Sequence, residues 1–161
     1  MASIEPLTPT FHDEFERLLD SGWRIVLPKD WRSLKVTEFI AIENSASSAI
    51  RVFPRAEFEK HVVKIETNPE LKEKVRNDLL EEFGSRSKRV VPDKEGRLTL
   101  PQGLCAKIGI SPDNNPKVVL RGAVRCFVIW NAEKLNAIRE AHAMLEAVGE
   151  HRTTPQDILG I

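Results

Sequence analysis

The hydrophobic residues of this chain fall mainly into short runs that are separated by turn-forming residues. Two pairs of runs stand out, one joined by the serine-rich segment 44–48 and the other by a bend that contains Gly122. Short runs rich in β-branched and aromatic residues, bounded in this way, are typical of β-hairpins. The pattern therefore predicts two hairpins, with strands at 38–42 and 49–53 and at 117–120 and 125–130.

Apolar residues recur with a helical period in the segment between the two hairpins. Asn68, Pro69 and Glu70 combine an N-cap residue, a proline suited to the first helical position and an acid that favours the positive end of a helix. Gly84 is a suitable C-terminal stop. We therefore expect a helix that starts at Asn68 and ends at Gly84, with an apolar face formed by Leu71, Val75, Leu79 and Phe83.

Helix starts also follow both hairpins, where acidic residues occur at Glu57 and Glu133. After the second hairpin, apolar residues on one face predict a helix over 132–148 that ends at Gly149. The segment after Gly149 shows no clear period. We expect it to be loosely ordered.

A nine-residue motif occurs twice, at a constant offset of 73 positions. The copies read Asp20-Ser-Gly-Trp-Arg24-Ile-Val-Leu-Pro28 and Asp93-Lys-Glu-Gly-Arg97-Leu-Thr-Leu-Pro101. Asp, Arg, the apolar residue after Arg, Leu and Pro coincide without gaps, which indicates an internal repeat.

Each copy of the motif is predicted to form a strand–turn–strand unit and is followed by one hairpin and one helix start, so the chain contains two similar units. One unit alone cannot bury its apolar face, whereas two units around a pseudo-twofold axis can close a small barrel. We therefore predict an α+β protein. Its two halves span residues 15–56 and 88–133. The connecting helices and a basic linker occupy residues 57–87, and a C-terminal helix and tail occupy residues 134–161.

The second copy of the motif predicts a tight turn that leads into a strand. The Asp93 side chain can accept a hydrogen bond from the backbone two residues on, and Gly96 can supply a positive φ. In the strand that follows, Leu98 and Leu100 share one face. Arg97 and Thr99 lie on the opposite face, which points outward. Arg97 is therefore expected at the rim of the barrel.

Two interpretations of Arg97 remain open on chemical grounds. It can project towards DNA, because a guanidinium suits both guanine O6 and N7 and the phosphate groups. It can instead pair locally with Asp93 and stabilise the turn. Both roles are compatible, because a carboxylate four residues back can orient a guanidinium that contacts DNA.

The charge of the chain is balanced overall but uneven along its length. The 24 basic and 24 acidic residues give a net charge of zero, which disfavours non-specific coating of DNA. Around each motif bases outnumber acids, because acids concentrate in the helices. One basic face therefore remains compatible with a neutral chain. The bases concerned are Arg24, Lys29, Arg32 and Lys35, and Arg86, Lys88, Arg89, Lys94 and Arg97.

Other function classes find little support in the 161 residues. No run of 18 uncharged apolar residues or secretory signal pattern is present, so we expect a cytoplasmic protein without a membrane partner. Cys105 and Cys126 are too few for a disulfide framework and are expected to be buried. The four histidines lack metal-ligand spacing, and no cofactor motif or nucleophile motif occurs, so we expect neither a cofactor nor an enzyme.

The second half of the chain resembles the MraZ family. The motif Asp93-x-x-Gly96-Arg97-Leu98-x-Leu100-Pro101 is followed by Ile108-Gly109-Ile110, then Val118-Val119-Leu120-x-Gly122, then Phe127-x-Ile129-Trp130. The first half resembles the first MraZ repeat through Asp20-x-x-x-Arg24-Ile25-x-Leu27-Pro28, Trp31-Arg32 and Phe53-Pro54-x-x-Glu57-Phe58. The resemblance extends over roughly 15–145.

This resemblance implies a pseudo-twofold double-split β-barrel of two AbrB/SpoVT-like half-repeats in one chain. It further implies ring-like homo-oligomers that bind G-rich direct repeats in double-stranded promoter DNA, as repressors of the division and cell-wall gene cluster, and a nucleoid-associated location. The arginines of the family that contact DNA correspond to Arg24 and Arg97. The candidate DNA-binding residues are therefore Arg97, Arg24, Lys94, Asp93 and Asp20.

The first motif departs from the family pattern, which has a basic residue and then glycine before the arginine. Here the order is Gly22-Trp23-Arg24. A positive φ directly before Arg24 would suit Trp23 poorly, and the turn could shift by one residue onto Gly22. In that case Arg24 would move away from DNA, so we expect Arg97 to be the stronger of the two contacts.

A different class of function also fits the sequence. An AbrB-like antitoxin, whose C-terminal part holds a protein partner, is compatible with the neutral charge and the amphipathic final helix. Such antitoxins usually carry one barrel half per chain, and the tandem repeat argues against this alternative.

Overall fold

The computed structural model describes residues 8–44 and 48–161. Residues 45–47 of the predicted serine-rich loop and residues 1–7 lie outside the described part. The chain divides into two compact units, Met1–Asn131 and Ala132–Ile161.

The first unit contains eight strands and four helices within its described residues. Its first half comprises β1 (Glu14–Leu18), β2 (Arg24–Val26), α1 (Lys29–Arg32), β3 (Phe39–Asn44), β4 (Ala49–Pro54) and α2 (Arg55–Glu66). After α3 (Glu73–Arg86), its second half comprises β5 (Ser87–Val90), β6 (Arg97–Thr99), α4 (Gln102–Ile108), β7 (Lys117–Gly122) and β8 (Phe127–Asn131). The second unit contains α5 (Ala132–Ala147) and α6 (Pro155–Leu159).

Six strands form one antiparallel sheet in the order β1-β7-β8-β4-β3-β5. Both predicted hairpins are confirmed, as β3–β4 and β7–β8. The first strand of each half pairs with the hairpin of the other half, because β1 lies beside β7 and β5 lies beside β3. The sheet is therefore assembled by an exchange of strands between the halves. This mixed α+β architecture confirms the predicted fold class and fits a split barrel.

The remaining two strands form a separate antiparallel ribbon, β2–β6. Ile25 of β2 lies opposite Leu98 of β6, and these two residues are equivalent in the internal repeat. A residue that pairs with its own repeat counterpart marks a local pseudo-twofold axis. Both side chains are fully buried, so the ribbon presents one face to the core and the other to solvent.

Four aromatic side chains occupy the centre of the core. Phe127 lies within 4.9–5.6 Å of the ring centroids of Phe11, Trp31 and Phe39. Phe11 precedes the region of family resemblance and was not foreseen as a core residue, yet it is fully buried. Its backbone forms two hydrogen bonds with Val124, which place it against the second half.

The basic stretch 85–89, which the sequence analysis takes as the link between the two halves, is in part a strand, and this corrects that prediction. Residues Ser87–Val90 form β5 and pair with β3. Lys88 and Arg89 are exposed, whereas Val90 is buried. Arg89 also forms an ion pair with Glu38. Charged side chains are common on edge strands, where they prevent pairing with other chains, and they made this strand resemble a linker.

Both predicted ends of the connecting helix were wrong. The helix α3 begins at Glu73, because the Asn68 side chain accepts the Glu70 amide at 3.0 Å and holds a separate turn. Gly84 lies inside the helix, which continues to Arg86, where the chain becomes extended into β5. A glycine stops a helix when it takes a left-handed conformation, and Gly84 does not.

The second unit contains the predicted final helix and an unpredicted short one. Gly149 takes a φ of +85° after α5, as expected for a helix stop. The tail was expected to be loosely ordered, but Thr154 and Asp157 form a capping box at the start of α6. Such reciprocal hydrogen bonds satisfy the free amides of a helix start. Within the described part of the chain, no helix is long and apolar enough to span a bilayer.

Candidate nucleic-acid interface

The two copies of the motif form equivalent turns. Oδ1 of Asp20 accepts hydrogen bonds from the amides of Gly22, at 2.8 Å, and Arg24, at 2.9 Å. Oδ1 of Asp93 accepts the corresponding hydrogen bonds from Glu95, at 3.0 Å, and Arg97, at 2.8 Å. This confirms that the aspartate side chain organises the turn, as the sequence predicted for the second copy.

The residue before each arginine takes a left-handed conformation. The φ of Gly96 is +74°, as expected, and the φ of Trp23 is +62°. The alternative that the first turn shifts onto Gly22 is therefore wrong. The Trp23 side chain packs against the core, and its carbonyl accepts the Leu100 amide at 2.7 Å. These contacts hold Trp23 in a conformation that glycine adopts more readily.

Trp23 provides a test of this turn. We expect Trp23→Gly to be more stable than Trp23→Ala by about 1 kcal/mol. Both variants lose the indole, but a left-handed backbone conformation costs alanine roughly 1–2 kcal/mol and costs glycine little. Ala106→Gly, at an exposed position of α4, is the matched control and should show the opposite preference by about 0.5–1 kcal/mol. Urea denaturation measures both differences. A less stable glycine variant at position 23 would contradict the turn geometry.

Each aspartate also holds the arginine of its own turn. Nε of Arg24 lies 3.0 Å from Oδ2 of Asp20, and Nε of Arg97 lies 2.8 Å from Oδ2 of Asp93. The hydrogen bond from the Arg97 amide is the largest cause that lowers the pKa of Asp93, and the Asp93 side chain in turn raises the pKa of Arg97. The pKa of Asp20 is lowered in the same way by the Arg24 amide. The local pairing interpretation is therefore confirmed.

This pairing leaves most of each guanidinium free to bind another group. A guanidinium has five N–H donors, and the contact with aspartate uses the one on Nε. In Arg97, Nη2 also lies 3.4 Å from Oε2 of Glu95. The side chains of Arg24 and Arg97 are 37% and 34% exposed. Each arginine is thus held in one orientation at the surface, which lowers the entropic cost of binding a ligand.

The two arginines share the outer face of the ribbon. Arg24 lies opposite Thr99 and Arg97 lies opposite Val26, so the arginines are diagonal neighbours. Residues in this relation are typically about 7–8 Å apart, a distance that long side chains can bridge. Asp20 of the first turn also raises the pKa of Arg97, which indicates that the two turns lie on the same side. The pseudo-twofold axis therefore relates two oriented guanidinium groups on one surface.

Further cations surround the ribbon. Lys94 is exposed, and in the described part of the chain it forms no ion pair. Nη1 of Arg32 donates to the Glu95 carbonyl at 3.3 Å. A Cβ at Gly96 would lie 2.0 Å from Cδ of Arg32, so this approach requires glycine in addition to the positive φ. The structure thus brings together all five predicted residues and adds Glu95 and Arg32, whose contacts across the halves the sequence did not indicate.

Other kinds of site find no support in residues 8–44 and 48–161. Cys105 and Cys126 are free and buried, as predicted, and burial raises the pKa of Cys105 to about 11. A thiol with a raised pKa is a poor nucleophile at neutral pH. No group of three His, Cys, Asp or Glu is arranged to hold a metal ion in this part of the chain.

The fold and the two turns define a tandem split-barrel protein with a paired-arginine ribbon. A family model described as MraZ protein, antitoxin-like, matches residues 85–154. The transcriptional regulator MraZ of Paenarthrobacter aurescens is 30% identical over 118 residues, which cover 73% of this chain and 78% of that protein. The chain belongs to the MraZ family.

Two further relatives carry the same name. The transcriptional regulator MraZ of Micrococcus luteus is 28% identical over 141 residues, which cover 88% of this chain and 91% of that protein. The transcriptional regulator MraZ of Frankia casuarinae is 30% identical over 123 residues, which cover 76% of this chain and 82% of that protein. A match of 141 residues in a chain of 161 must include residues 21–141, so the relative from Micrococcus luteus matches parts of both halves.

Proposed function

We propose that the chain is a sequence-specific DNA-binding transcriptional regulator that inserts the β2–β6 ribbon into the major groove. The observation that carries this proposal is the pair of aspartate-oriented arginines on the solvent face of the ribbon. The major groove of B-DNA admits a two-stranded β-ribbon, and arginine is the commonest reader of guanine. The names of the relatives, which are transcriptional regulators, support the same function.

The five candidate residues have distinct roles in this proposal. Arg24 and Arg97 each contact guanine O6 and N7. Asp20 and Asp93 hold these guanidinium groups in position and do not contact DNA themselves. Lys94 neutralises a phosphate beside the groove, which contributes affinity without sequence preference.

The finer features of the proposal rest on the family resemblance. They are binding to G-rich direct repeats, repression of the division and cell-wall gene cluster, and action as an oligomeric ring at the nucleoid in the cytoplasm. An antitoxin-type module, which the description of the family model includes, remains the second candidate. It predicts a stable complex with a protein partner and no binding to the repeats by the chain alone.

A gel shift with promoter DNA that carries G-rich repeats tests the proposal. We expect the affinity to fall steeply with salt, because binding to phosphates releases counterions. Lys94→Ala should weaken binding to all sequences alike and reduce the salt slope by about 1. Equal affinity for repeat DNA and for a scrambled fragment of the same length would refute sequence-specific binding.

Self-association is the second measurable consequence. One chain offers two arginine turns and hence few phosphate contacts, which predicts weak binding by a monomer at physiological salt. Several subunits on repeated sites gain avidity, and Val75 and Leu79 expose an apolar stripe on α3 that self-association can bury. We expect a homo-oligomer larger than a dimer by multi-angle light scattering. A monodisperse monomer at micromolar concentration would contradict this prediction.

A further inference from the structure

The two turns on the ribbon differ in one side chain that lies beside the arginine. In the second turn, Oε2 of Glu95 lies 3.4 Å from Nη2 of Arg97, and the Glu95 side chain is 68% exposed. The equivalent residue of the first turn is Gly22, which has no side chain. A second carboxylate therefore accompanies Arg97, whereas Arg24 has only that of Asp20.

A carboxylate in this position has few favourable partners on DNA. An ionised glutamate only accepts hydrogen bonds, and DNA phosphates repel it. Among the groups on the major-groove edges of the bases, the N4 amino group of cytosine is the donor that glutamate typically binds. Because Nη2 of Arg97 lies beside Glu95, a base pair next to the guanine contacted by Arg97 is within reach of this carboxylate.

The first turn cannot make the same contact. Gly22 leaves the Arg24 side of the ribbon without a second, exposed carboxylate, although the backbone hydrogen bonds of the two turns are equivalent. Since each end of the ribbon carries one arginine that contacts guanine, the base contacts of the two ends would otherwise be alike in either orientation on DNA. The Glu95 carboxylate at the Arg97 end makes the two orientations of the ribbon on DNA unequal.

We infer that Glu95 is a specificity-determining residue that reads a cytosine beside the guanine contacted by Arg97, and that its absence from the first turn gives the chain one orientation on its DNA site. This inference rests on the proposed function, since it requires that the ribbon binds DNA. It adds a base preference that the two arginines alone do not provide.

Selection from a random DNA library tests the inference. The wild-type chain should enrich a motif with unequal ends, in which one guanine has a neighbouring cytosine preferred about tenfold over the other bases, within the range for a good base contact. Glu95→Gln should shift this preference to adenine, the base that glutamine typically reads. Glu95→Gly should remove the preference and leave the guanines enriched. Circular dichroism should show an unchanged fold, because the side chain is exposed.

Gly22→Glu is the matched variant in the first turn. A Cβ at position 22 would lie 3.0 Å from Nε of Arg24, and the second turn accommodates glutamate at the equivalent position. This variant should add a preference for cytosine beside the guanine contacted by Arg24, so that the two ends of the enriched motif become more alike.

The outcomes separate the inference from the proposed function. If the wild-type chain and Glu95→Gly enrich the same motif, the ribbon reads DNA but Glu95 does not, and the inference alone is overturned. If Glu95→Gly gains affinity equally for all sequences, the carboxylate acts by repulsion only, which also overturns it. If the wild-type chain enriches no motif, the proposed function fails, and the inference fails with it.

Discussion

Alanine at both Arg24 and Arg97 should abolish sequence-specific binding of promoter repeats by the chain. Each single substitution should cost about 1–3 kcal/mol, or roughly 5- to 150-fold in affinity, because it removes one base-reading guanidinium. We expect the two single variants to be similar, in contrast to the sequence-based expectation that Arg97 dominates. That expectation required the first turn to shift onto Gly22. Trp23 instead takes a positive φ, so the first turn has the same geometry as the second.

Lysine at the same two positions is the matched control. Lysine keeps the positive charge but lacks the rigid, planar fork of N–H donors that matches guanine O6 and N7. The double lysine variant should therefore retain salt-dependent binding to any DNA while losing its preference for the repeats. Gel shifts and circular dichroism should be recorded together, since the side chains lie at the surface and their loss should leave the fold intact. Wild-type affinity in a folded Arg97→Ala variant would remove the central claim of the proposed function.

The second large effect is expected in the core. Phe127→Ala should lower the free energy of unfolding by about 3–5 kcal/mol, because it leaves a cavity between Phe11, Trp31 and Phe39. A loss of this size is a large part of the stability of a typical domain. Urea denaturation monitored by tryptophan fluorescence measures it.

Two substitutions serve as controls for the cavity. Phe127→Leu conserves most of the volume and should cost less than about 1.5 kcal/mol if the core repacks. Phe83→Ala removes a half-buried ring that stacks on Phe58, and should cost less than Phe127→Ala. A loss below 1 kcal/mol for Phe127→Ala would show that the aromatic cluster is not the centre of the core.

The hairpins and the repeat could be predicted because their signals are local. Strand alternation and turn residues lie within a few positions of each other, and the offset of 73 residues aligns the two motifs without any knowledge of the fold. The inward position of Leu98 and Leu100 follows from the alternation along their segment. Local signals were therefore sufficient for the two hairpins and the repeat, although they misplaced both ends of α3 and did not reveal α6.

The strand before each turn could be predicted only in outline, without its bounds or its partner. The strand β1 reads Glu-Phe-Glu-Arg-Leu and β5 reads Ser-Lys-Arg-Val. Charged residues are typical of edge strands, but they weaken the hydrophobic pattern on which a strand prediction rests. The partners of these strands lie far away in the sequence, and no local feature of either segment identifies them.

The candidate site was likewise predicted in part. Asp20, Asp93 and both arginines follow from turn chemistry, because the carboxylate and the amides that it binds lie within four residues. The positive φ of Trp23 opposes its intrinsic preference and is imposed by packing against the core. Tertiary contacts override local preference at this position, which is why a single sequence could not decide the first turn.

The exchange of strands also imposes an order on biosynthesis. Glu14 of β1 lies opposite Arg121 of β7, so a ribosome that adds about 5–20 residues per second must work for roughly 5–20 s before β1 has a partner. During this interval β1 presents an unpaired hydrogen-bonding edge. Its charged residues Glu14, Glu16 and Arg17 then discourage association with other nascent chains. The same charges that obscure the strand in the sequence therefore protect the growing polypeptide until the sheet can close.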